Sequence, residues 1–375
     1  MKHLLHVFST FDAGGPQIRT VQLIEALGAG WCHSILPLDG RSGAADLLPR
    51  GVESSLVDPP PSKQSHVVLR RVRDILRSSA PELLLTYNWG AIEAVAAGRL
   101  SGVPVLHHED GFLPDEAQGF KRRRVWMRRL LLPGVAGIVV PSHRLHRIAT
   151  REWRLREERV HLVPNGIRVA DVPPRRATRE VALRVRSELG IPAQAFVIGS
   201  VGHLRGEKNP VRLVEAFAHV TDPTAHLLVV GDGPERPALE QAAVRSGRAE
   251  RIHLVGHQHD PHGHYAAMDA FALSSDTEQM PVALLEAMAS SLPVAATDVG
   301  DVQRMLPQSQ APYLAGLGPN ATRDLGRALE RLAHDRAGGE ELGRRNRARV
   351  EERYGFEAML AAYRRLYLRA ARSPP

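Results

Sequence analysis

The sequence has a single cysteine, Cys32, among its 375 residues. One cysteine excludes an internal disulfide and most cysteine metal sites, and this scarcity is typical of cytoplasmic proteins. Long apolar runs are also lacking, because no segment approaches the roughly 18 residues that a membrane-spanning helix needs. The first residues, MKHLLHVFSTFDAGG, become polar too soon for a signal peptide. We therefore expect a cytoplasmic protein.

The net charge of +8 rests largely on clusters of arginine. The densest cluster, FKRRRVWMRRLLL at residues 120–132, interleaves cations with apolar side chains. Such a helix suits an anionic membrane surface or a polyanionic ligand, which would be met here through Arg122–Arg129. The alternative is a solvated helix that packs its apolar side on the core. No nucleic-acid-binding module is recognisable, so nucleic acid is not an expected partner.

Short apolar runs alternate with longer helical patterns along the chain, which predicts an α/β fold built from parallel βαβ units. The proline-rich stretch PNGIRVADVPPRRATRE interrupts this alternation and is interpreted as an interdomain linker. The apolar runs before it are LLHVF, ELLLTY, VPVLHH, GIVVPS and RVHLVPNG, and those after it are AFVIGSVG, AHLLVVGDG, RIHLVG, AFALSSD and LPVAATD.

Two Rossmann-like, doubly wound parallel-sheet domains are therefore expected, facing each other across a cleft. We predict the first at residues 1–168 and the second at residues 169–355. Ligands of such sheets bind beyond the carboxyl ends of the strands, so the cleft is the expected site. Each motif discussed below follows the end of a predicted strand.

Two of these motifs have the composition of anion-binding loops. In FSTFDAGGPQIRT, Gly14 and Gly15 precede Pro16 at the start of a helix. Paired glycines allow close backbone approach to an anion or a hydroxyl, but a plain turn has the same composition. In VGHLRGEKNP, Arg205 and Lys208 stand at another helix start. Two cations are mildly unfavourable at that end of a helix, so they indicate a bound anion such as a diphosphate.

No metal site is predicted. Histidines are frequent in the stretch that begins HLVGHQHD, but no pair with carboxylate support has metal-ligand spacing. The histidines concerned are His257, His259, His262 and His264.

The stretch TEQMPVALLE places Glu278 and Glu286 on either side of a proline. Two helical residues at this spacing would lie about 12 Å apart along the axis. A hydrolytic carboxylate pair is usually separated by roughly 5 to 9.5 Å. Because Pro281 fits a first helical position, Glu278 would lie in the loop, and the distance could be shorter. An acid/base pair, two solvated charges and two acceptors for hydroxyl groups all remain open on geometry alone.

Taken together, the motifs resemble those of the family-4 glycosyltransferases, which are retaining enzymes of the GT-B fold that use a nucleotide-sugar donor. The likeness runs over nearly the whole chain and is most specific in the E-x7-E segment. The segments that carry it are GGPQ, VVPS, VPNGI, EKN, GDGPER and TEQMPVALLEAMASSLPVAATDVG.

The resemblance implies a role for each matching residue. Glu278 would contact hydroxyls of the donor sugar, and Glu286 would accept hydrogen bonds from the ribose. Ionised carboxylates are acceptors only, which suits hydroxyl donors. Lys208 would neutralise the donor diphosphate as the glycosidic bond breaks. Backbone amides beside the sugar would come from Gln279, Met280 and Val282, and Gly14 and Gly15 would close on the donor from the first domain.

The sequence departs from the family pattern at two positions. His203 stands where the family usually has an arginine, so either Arg205 replaces that cation or His203 donates when protonated. Asp110, in GVPVLHHEDGF, stands where the family often has a histidine near donor and acceptor. We predict Arg205, Lys208, Glu278 and Asp110 as the catalytic residues.

The resemblance implies a retaining hexosyltransferase that moves a sugar from a nucleoside-diphosphate sugar to a glycan or lipid-linked acceptor. It implies no cofactor or metal and no protein nucleophile. Residues 356–375 resemble the family helix that crosses back onto the first domain. The arginine cluster adds the hypothesis of a peripheral enzyme at the inner face of the membrane. A nucleotide-sugar epimerase of the same fold and a non-catalytic sugar-nucleotide-binding protein are the alternatives.

Overall fold

The computed structural model describes residues 1–112, 116 and 119–372, without the side chain of Arg176. The chain divides into two units, each built on one parallel sheet. The first unit comprises Met1–Pro164 together with the chain from Glu357 onward, and the second comprises Asn165–Phe356. The prediction of two doubly wound parallel-sheet units is confirmed.

The first unit has a seven-stranded sheet in the order β3-β2-β1-β4-β5-β6-β7. Its described strands are β1 (Lys2–Phe8), β2 (Trp31–Pro37), β3 (Ser54–Leu56), β4 (Leu83–Tyr87), β5 (Val105–His108), β6 (Gly137–Val140) and β7 (Val160–Leu162). Its helices are α1 (Gly15–Leu27), α2 (Ser65–Ser79), α3 (Ile92–Leu100), α4 (Arg122–Leu131) and α5 (His143–Arg151), joined by the C-terminal helix (Phe356–Ala370).

The second unit has a six-stranded sheet in the order β10-β9-β8-β11-β12-β13. Its strands are β8 (Phe196–Val201), β9 (Ala225–Val230), β10 (Ile252–Leu254), β11 (Ala270–Leu273), β12 (Val294–Thr297) and β13 (Leu314–Ala315). Its helices are α6 (Arg179–Glu188), α7 (Pro210–Phe217), α8 (Arg236–Arg245), α9 (His262–Ala267), α10 (Val282–Ala289), α11 (Val302–Met305), α12 (Ala321–His334) and α13 (Arg336–Arg353); the C-terminal helix is therefore α14.

Both faces of the second sheet are buried under aliphatic side chains. Val197 and Leu228 point to one core, whereas their neighbours Ile198 and Leu227 point to another. Successive residues of a strand face opposite sides of a sheet, so a strand covered by helices on both sides is apolar throughout. This is why the apolar runs of the second half were visible in the sequence.

The first sheet has one aliphatic face and one face of aromatic and histidine side chains. On the second face His6 shares hydrogen bonds of 3.0 Å with Tyr87 and with His33. Tyr87 also stacks on His108, which in turn stacks on Tyr363 of α14. Helix α14 therefore completes the core of the first unit.

The predicted interdomain linker is not a free connection, because it packs as part of the second unit. The amide of Ile167 donates a hydrogen bond to the backbone carbonyl of Tyr354. The side chain of Val172 is buried, and Arg175 forms an ion pair with Asp269. Prolines therefore mark a segment that is irregular but anchored. The first unit ends at Pro164, a few residues before the predicted boundary at residue 168.

The arginine cluster on α4 matches its sequence interpretation only in part, because Val125 and Leu131 pack on the core as predicted but one arginine is buried with them. Arg128 is fully buried, where it bonds with Glu109 and Glu116 and lies over the ring of Trp153. Trp126 is 68% exposed and Leu130 is 66% exposed. The helix buries a cation and exposes apolar groups because the two distant carboxylates neutralise the guanidinium. Arg122–Arg129 is thus not one continuous external cationic surface.

The sequence analysis did not predict three of the described strands, because they lack an apolar run. Strand β2 contains Cys32, His33 and Ser34 in its middle, β3 is a short edge strand, and β13 has two residues. Among the residues that the structure describes, no helix is long and apolar enough to span a membrane.

Candidate active site

Lys208 and Glu278 meet at the carboxyl edge of the second sheet. Lys208 lies in the loop after β8, and Glu278 lies in the loop after β11, the neighbouring strand. The Nζ atom of Lys208 lies 2.5 Å from Oε1 of Glu278. The Ser275 hydroxyl donates to the same oxygen at 2.8 Å. No described residue donates to Oε2, so a buried carboxylate keeps one oxygen for a ligand.

The two loops that carry this pair are hydrogen-bonded to each other. The hydroxyl of Ser274 lies 3.0 Å from the carbonyl oxygens of Lys208 and Asn209. The amide of Asp276 donates to the carbonyl of Glu207, and the Asn209 side chain donates to the carboxylate of Asp276. Because these bonds fix both backbones, the pair is set before any ligand binds.

The turn that contains Gln279 and Met280 is held by residues that the sequence analysis did not single out. Asn165 donates to the carbonyl oxygen of Met280 at 2.9 Å. Gly300 has a φ of +60°, and a β-carbon there would lie 2.3 Å from the carbonyl oxygen of Glu278. Only glycine fits a position that combines this backbone conformation with this close approach.

Arg205 and His203 lie in the loop after β8, whose backbone is bonded to the loop after β9. The amide of Leu204 donates to Asp232, and a β-carbon on Gly231 would collide with the carbonyl oxygen of Gly202. Both Arg205 and His203 expose their side chains. Partial desolvation and the Arg205 cation hold the pKa of His203 below its ordinary value. His203 is therefore neutral at pH 7, and Arg205 is the second cation of this edge.

Glu286 lies in the second turn of α10, as the sequence predicts. Helix α10 begins at Val282, so Pro281 precedes the helix with extended backbone instead of occupying its first position. The hydroxyl of Tyr265, which is completely buried, lies 2.8 Å from Oε2 of Glu286. Burial raises the pKa of Glu286, and the bond from Tyr265 works against that rise. Tyr265 is a site residue that the sequence analysis missed.

In the first unit, Gly14 and Gly15 form the turn between β1 and α1. Gly14 has extended backbone, α1 begins at Gly15, and Pro16 stands in its first turn. The side-chain amide of Gln17 donates to the carbonyl of Thr10 and so closes the turn. A β-carbon on Gly15 would meet no atom within 4 Å, so packing does not require a glycine there.

Asp110 follows β5, and its carboxylate is engaged by Arg19 of α1. The NH1 and NH2 atoms of the guanidinium lie 2.6 Å and 2.9 Å from the two carboxylate oxygens. Both side chains are nearly buried, at 7% and 11% exposure. The sequence analysis did not identify Arg19 as the partner of Asp110, because the two residues lie far apart in the chain.

The arrangement in the second unit favours an anionic ligand that also carries hydroxyl groups. Lys208 and Arg205 supply cations, and Glu278 and Glu286 supply acceptors. Among the described residues, no group of three or more histidine, cysteine, aspartate or glutamate side chains is placed to hold a metal ion.

Two family models match the chain, one on each unit. The model of the glycosyl transferase 4-like domain matches residues 14–166, and the model of glycosyl transferases group 1 matches residues 195–335. The chain belongs to the group 1 glycosyltransferases. It is therefore a transferase, and the epimerase alternative is not favoured.

Proteins of similar sequence include other glycosyltransferases. EpsF of Bacillus subtilis (strain 168), whose name describes a glycosyltransferase, is 27% identical over 309 residues, which cover 79% of each protein. The sulfoquinovosyl transferase SQD2 of Arabidopsis thaliana is 26% identical over 292 residues, which cover 74% of this chain and 53% of SQD2.

Solved structures show the fold. Alr3699/HepE of Anabaena, in complex with UDP and glucose, has a TM-score of 0.84 at 17% identity, and the match covers 98% of this chain and 100% of HepE. The group 1 glycosyltransferase described here has the GT-B fold.

Proposed function

We propose that this glycosyltransferase moves a hexose, with retention, from a nucleoside-diphosphate sugar to a glycan or lipid-linked acceptor. The observation that carries the proposal is the meeting of Lys208 with Glu278. A cation for the diphosphate and an acceptor for sugar hydroxyls then lie side by side, as a sugar attached to a diphosphate requires. HepE, which has the same fold, binds UDP and glucose.

In this proposal Lys208 and Arg205 bind the donor diphosphate. Negative charge grows on the leaving diphosphate as the glycosidic bond breaks, so fixed cations stabilise the transition state more than the ground state. Arg205 is 58% exposed and has only a 4.0 Å contact with Glu207, so its guanidinium can turn to a ligand. His203, which is neutral at pH 7, contributes a hydrogen bond at most.

Glu278 and Glu286 bind the donor's hydroxyl groups. Oε2 of Glu278 accepts from the sugar, while backbone amides of Gln279, Met280 and Val282 contact the sugar. Glu286 accepts from the ribose with the oxygen that Tyr265 does not occupy. Gly14 and Gly15 are proposed as further donor contacts.

Retention is proposed to proceed by attack on the face of the sugar that the diphosphate leaves, with the phosphate accepting the proton of the acceptor hydroxyl. Lys208 and Ser275 bond with Oε1 of Glu278, and the proposal assigns Oε2 to hydroxyls of the sugar and not to attack on its anomeric carbon. A protein-bound sugar intermediate is therefore not part of the proposal. The anomeric configuration of the product, measured by NMR, tests the proposal of retention. A product of inverted configuration would contradict it.

The outward face of α4 is proposed to meet an anionic membrane surface. Trp126 and Leu130 are exposed beside the exposed cations Arg122 and Arg123. An interfacial tryptophan with neighbouring cations favours anionic headgroups. Flotation with vesicles of phosphatidylglycerol and phosphatidylcholine tests this. We expect salt-sensitive binding that falls in a Trp126→Ser/Leu130→Ser variant, and wild-type protein that fails to float would contradict it.

The activity itself is tested with a panel of uridine, guanosine and adenosine diphosphate sugars and simple glycan acceptors. We expect transfer from one donor class, with kcat reduced by about 100-fold or more in Lys208→Ala and Glu278→Ala variants. Lys63→Ala, at an exposed lysine of the first unit, is the matched control and should leave kcat unchanged. A protein that binds a nucleotide sugar without any turnover would support the non-catalytic alternative.

A further inference from the structure

The ion pair between Arg19 and Asp110 joins segments that are 91 residues apart. Arg19 lies on α1, one helical turn after Gly15, and Asp110 follows β5. A bidentate guanidinium–carboxylate pair fixes orientation as well as distance, because two parallel hydrogen bonds define a plane. The pair therefore sets the rotation of α1 relative to the carboxyl edge of the first sheet.

Two further elements converge on this pair. The amide of Asp110 donates to the side-chain oxygen of Asn88, which follows β4 and has a φ of +58°. The guanidinium of Arg19 lies 5.6 Å from the ring centre of Tyr363 on α14. Arg19 therefore connects α1, two loops at the sheet edge and the C-terminal helix.

Stability alone does not explain why these charges are buried. Burying two ions costs nearly as much as their attraction returns, and apolar side chains of the same volume usually stabilise a core at least as well. Burial by itself lowers the pKa of Arg19, but the Asp110 carboxylate outweighs this effect and raises it above the ordinary value. The guanidinium is thus charged, and what the pair supplies beyond an apolar contact is direction.

We propose that Arg19 is a positioning residue and that Asp110 acts through it. The pair holds the first turn of α1, and with it Gly14 and Gly15, in the orientation that binds the donor. This inference rests on the proposed function, because it takes the glycine turn as a donor contact. It replaces the prediction that Asp110 acts on the substrate with its own carboxylate.

The test separates orientation from stability by replacing both charges at once. The variant Arg19→Met/Asp110→Val fills nearly the same volume as the pair and leaves no unpaired buried ion. We expect a melting temperature close to that of the wild type, with kcat/KM for the donor reduced about tenfold or more per folded molecule. A double variant with wild-type kcat/KM would show that the pair is only structural and would overturn the proposal.

Single variants decide whether Asp110 contacts the substrate itself. Arg19→Lys keeps the carboxylate and a cation but loses the bidentate geometry, and Asp110→Asn removes the negative charge. If the pair acts as a unit, each single variant loses about as much kcat/KM as the double variant, because coupled residues are non-additive. An Arg19→Lys enzyme with full activity beside an inactive Asp110→Asn enzyme would instead assign Asp110 a direct role.

Failure of the proposed function would be visible separately. A wild-type protein that transfers no sugar from any donor refutes the proposed function. Wild-type transfer combined with an unaffected double variant refutes only the positioning role of Arg19.

Discussion

The two units of this glycosyltransferase bury different kinds of side chain beneath the same kind of sheet. In the second unit, aliphatic groups cover both faces, and the candidate site residues Lys208 and Glu278 lie beyond the strand ends. In the first unit, one face carries histidines and tyrosines, and ion pairs are buried at its carboxyl edge. The first unit therefore buries ion pairs at the carboxyl edge of its sheet, whereas the buried pair of Arg186 and Asp269 in the second unit lies at the amino end of β11.

This difference predicts how each unit responds to mutation and to pH. Aliphatic packing does not titrate, so the stability of the second unit is largely independent of its site. Buried histidines and ion pairs do titrate, so the stability of the first unit and the geometry of its sheet edge depend on the same residues. All four tryptophans lie in the first unit, at positions 31, 89, 126 and 153, so tryptophan fluorescence reports that unit alone.

The largest expected effect on stability is at Arg128. An Arg128→Met variant keeps the volume but leaves the buried carboxylate of Glu109 without its guanidinium partner, whereas Glu116 keeps only its ion pair with Arg124. We expect the free energy of unfolding of the first unit to fall by about 3–5 kcal/mol, measured by urea denaturation with tryptophan fluorescence. The control is Asp74→Asn, which removes the exposed ion pair of Asp74 with Arg77 on α2 of the same unit and should leave the urea midpoint unchanged. Equal urea midpoints for Arg128→Met and wild type would contradict the view that buried ion pairs determine the stability of the first unit.

The next effect is acid sensitivity of the first unit. Burial holds the pKa of His6 and His108 well below the ordinary value and lowers that of His33 to about 4. A histidine with a lowered pKa in the folded state stabilises the fold above the unfolded pKa of about 6.5, and this contribution is lost as the pH falls towards the folded value. The urea midpoint followed by tryptophan fluorescence should therefore decrease from pH 7 to pH 4.5.

A His33→Phe variant sharpens this experiment, because it removes one buried ionisable group. Its midpoint should depend less steeply on pH than that of the wild type. The second unit, followed by the circular dichroism that remains after the fluorescence change, should respond less. Of its histidines with lowered pKa, His226 is buried, His253 and His264 are half-buried, and His203 is exposed. A steeper loss in the second unit would contradict the comparison.

The smallest effect is expected at Tyr265, which tests whether packing and binding are separate in the second unit. Tyr265→Phe removes only the hydroxyl that donates to Glu286. We expect nucleoside-diphosphate affinity to fall about fivefold, because a hydrogen bond to a carboxylate is lost, while the melting temperature changes little. Tyr354→Phe is the matched control, since its hydroxyl contacts the carbonyl of Arg304 at 3.3 Å and the side chain of Arg349, neither of which is a candidate site residue. Unchanged affinity in Tyr265→Phe would mean that Glu286 does not need this donor.

The sequence predicted the second sheet well because its strands are buried on both faces and read as apolar runs. It predicted less of the first sheet, since β2 mixes polar and apolar residues and β3 is a short edge strand. His6 and Tyr87 did not prevent the prediction of β1 and β4, because apolar neighbours in those strands supply the apolar runs. Fold class was therefore accessible from the sequence, while part of the strand content was not.

Candidate site residues were recognised where short motifs carry them, as with Lys208 and Glu278. Their supports were not recognised, because each depends on a contact between distant segments. Asn165 holds Met280 across 115 residues, and Tyr265 reaches Glu286 across 21. The two carboxylate partners of Arg128 were missed for the same reason, so the sequence did not show that α4 buries a cation as well as Val125 and Leu131.

Titration calorimetry with nucleoside diphosphates tests the central claim most directly, namely that the edge formed by Lys208 and Glu278 binds the donor's diphosphate. We expect wild-type protein and the Lys63→Ala control to bind one of UDP, GDP or ADP with equal affinity. Lys208→Ala should bind the same nucleotide at least about tenfold more weakly, because a charge-assisted contact to phosphate is lost. Equal affinity in Lys208→Ala, or no binding of any of the three nucleotides by the wild type, would contradict the account.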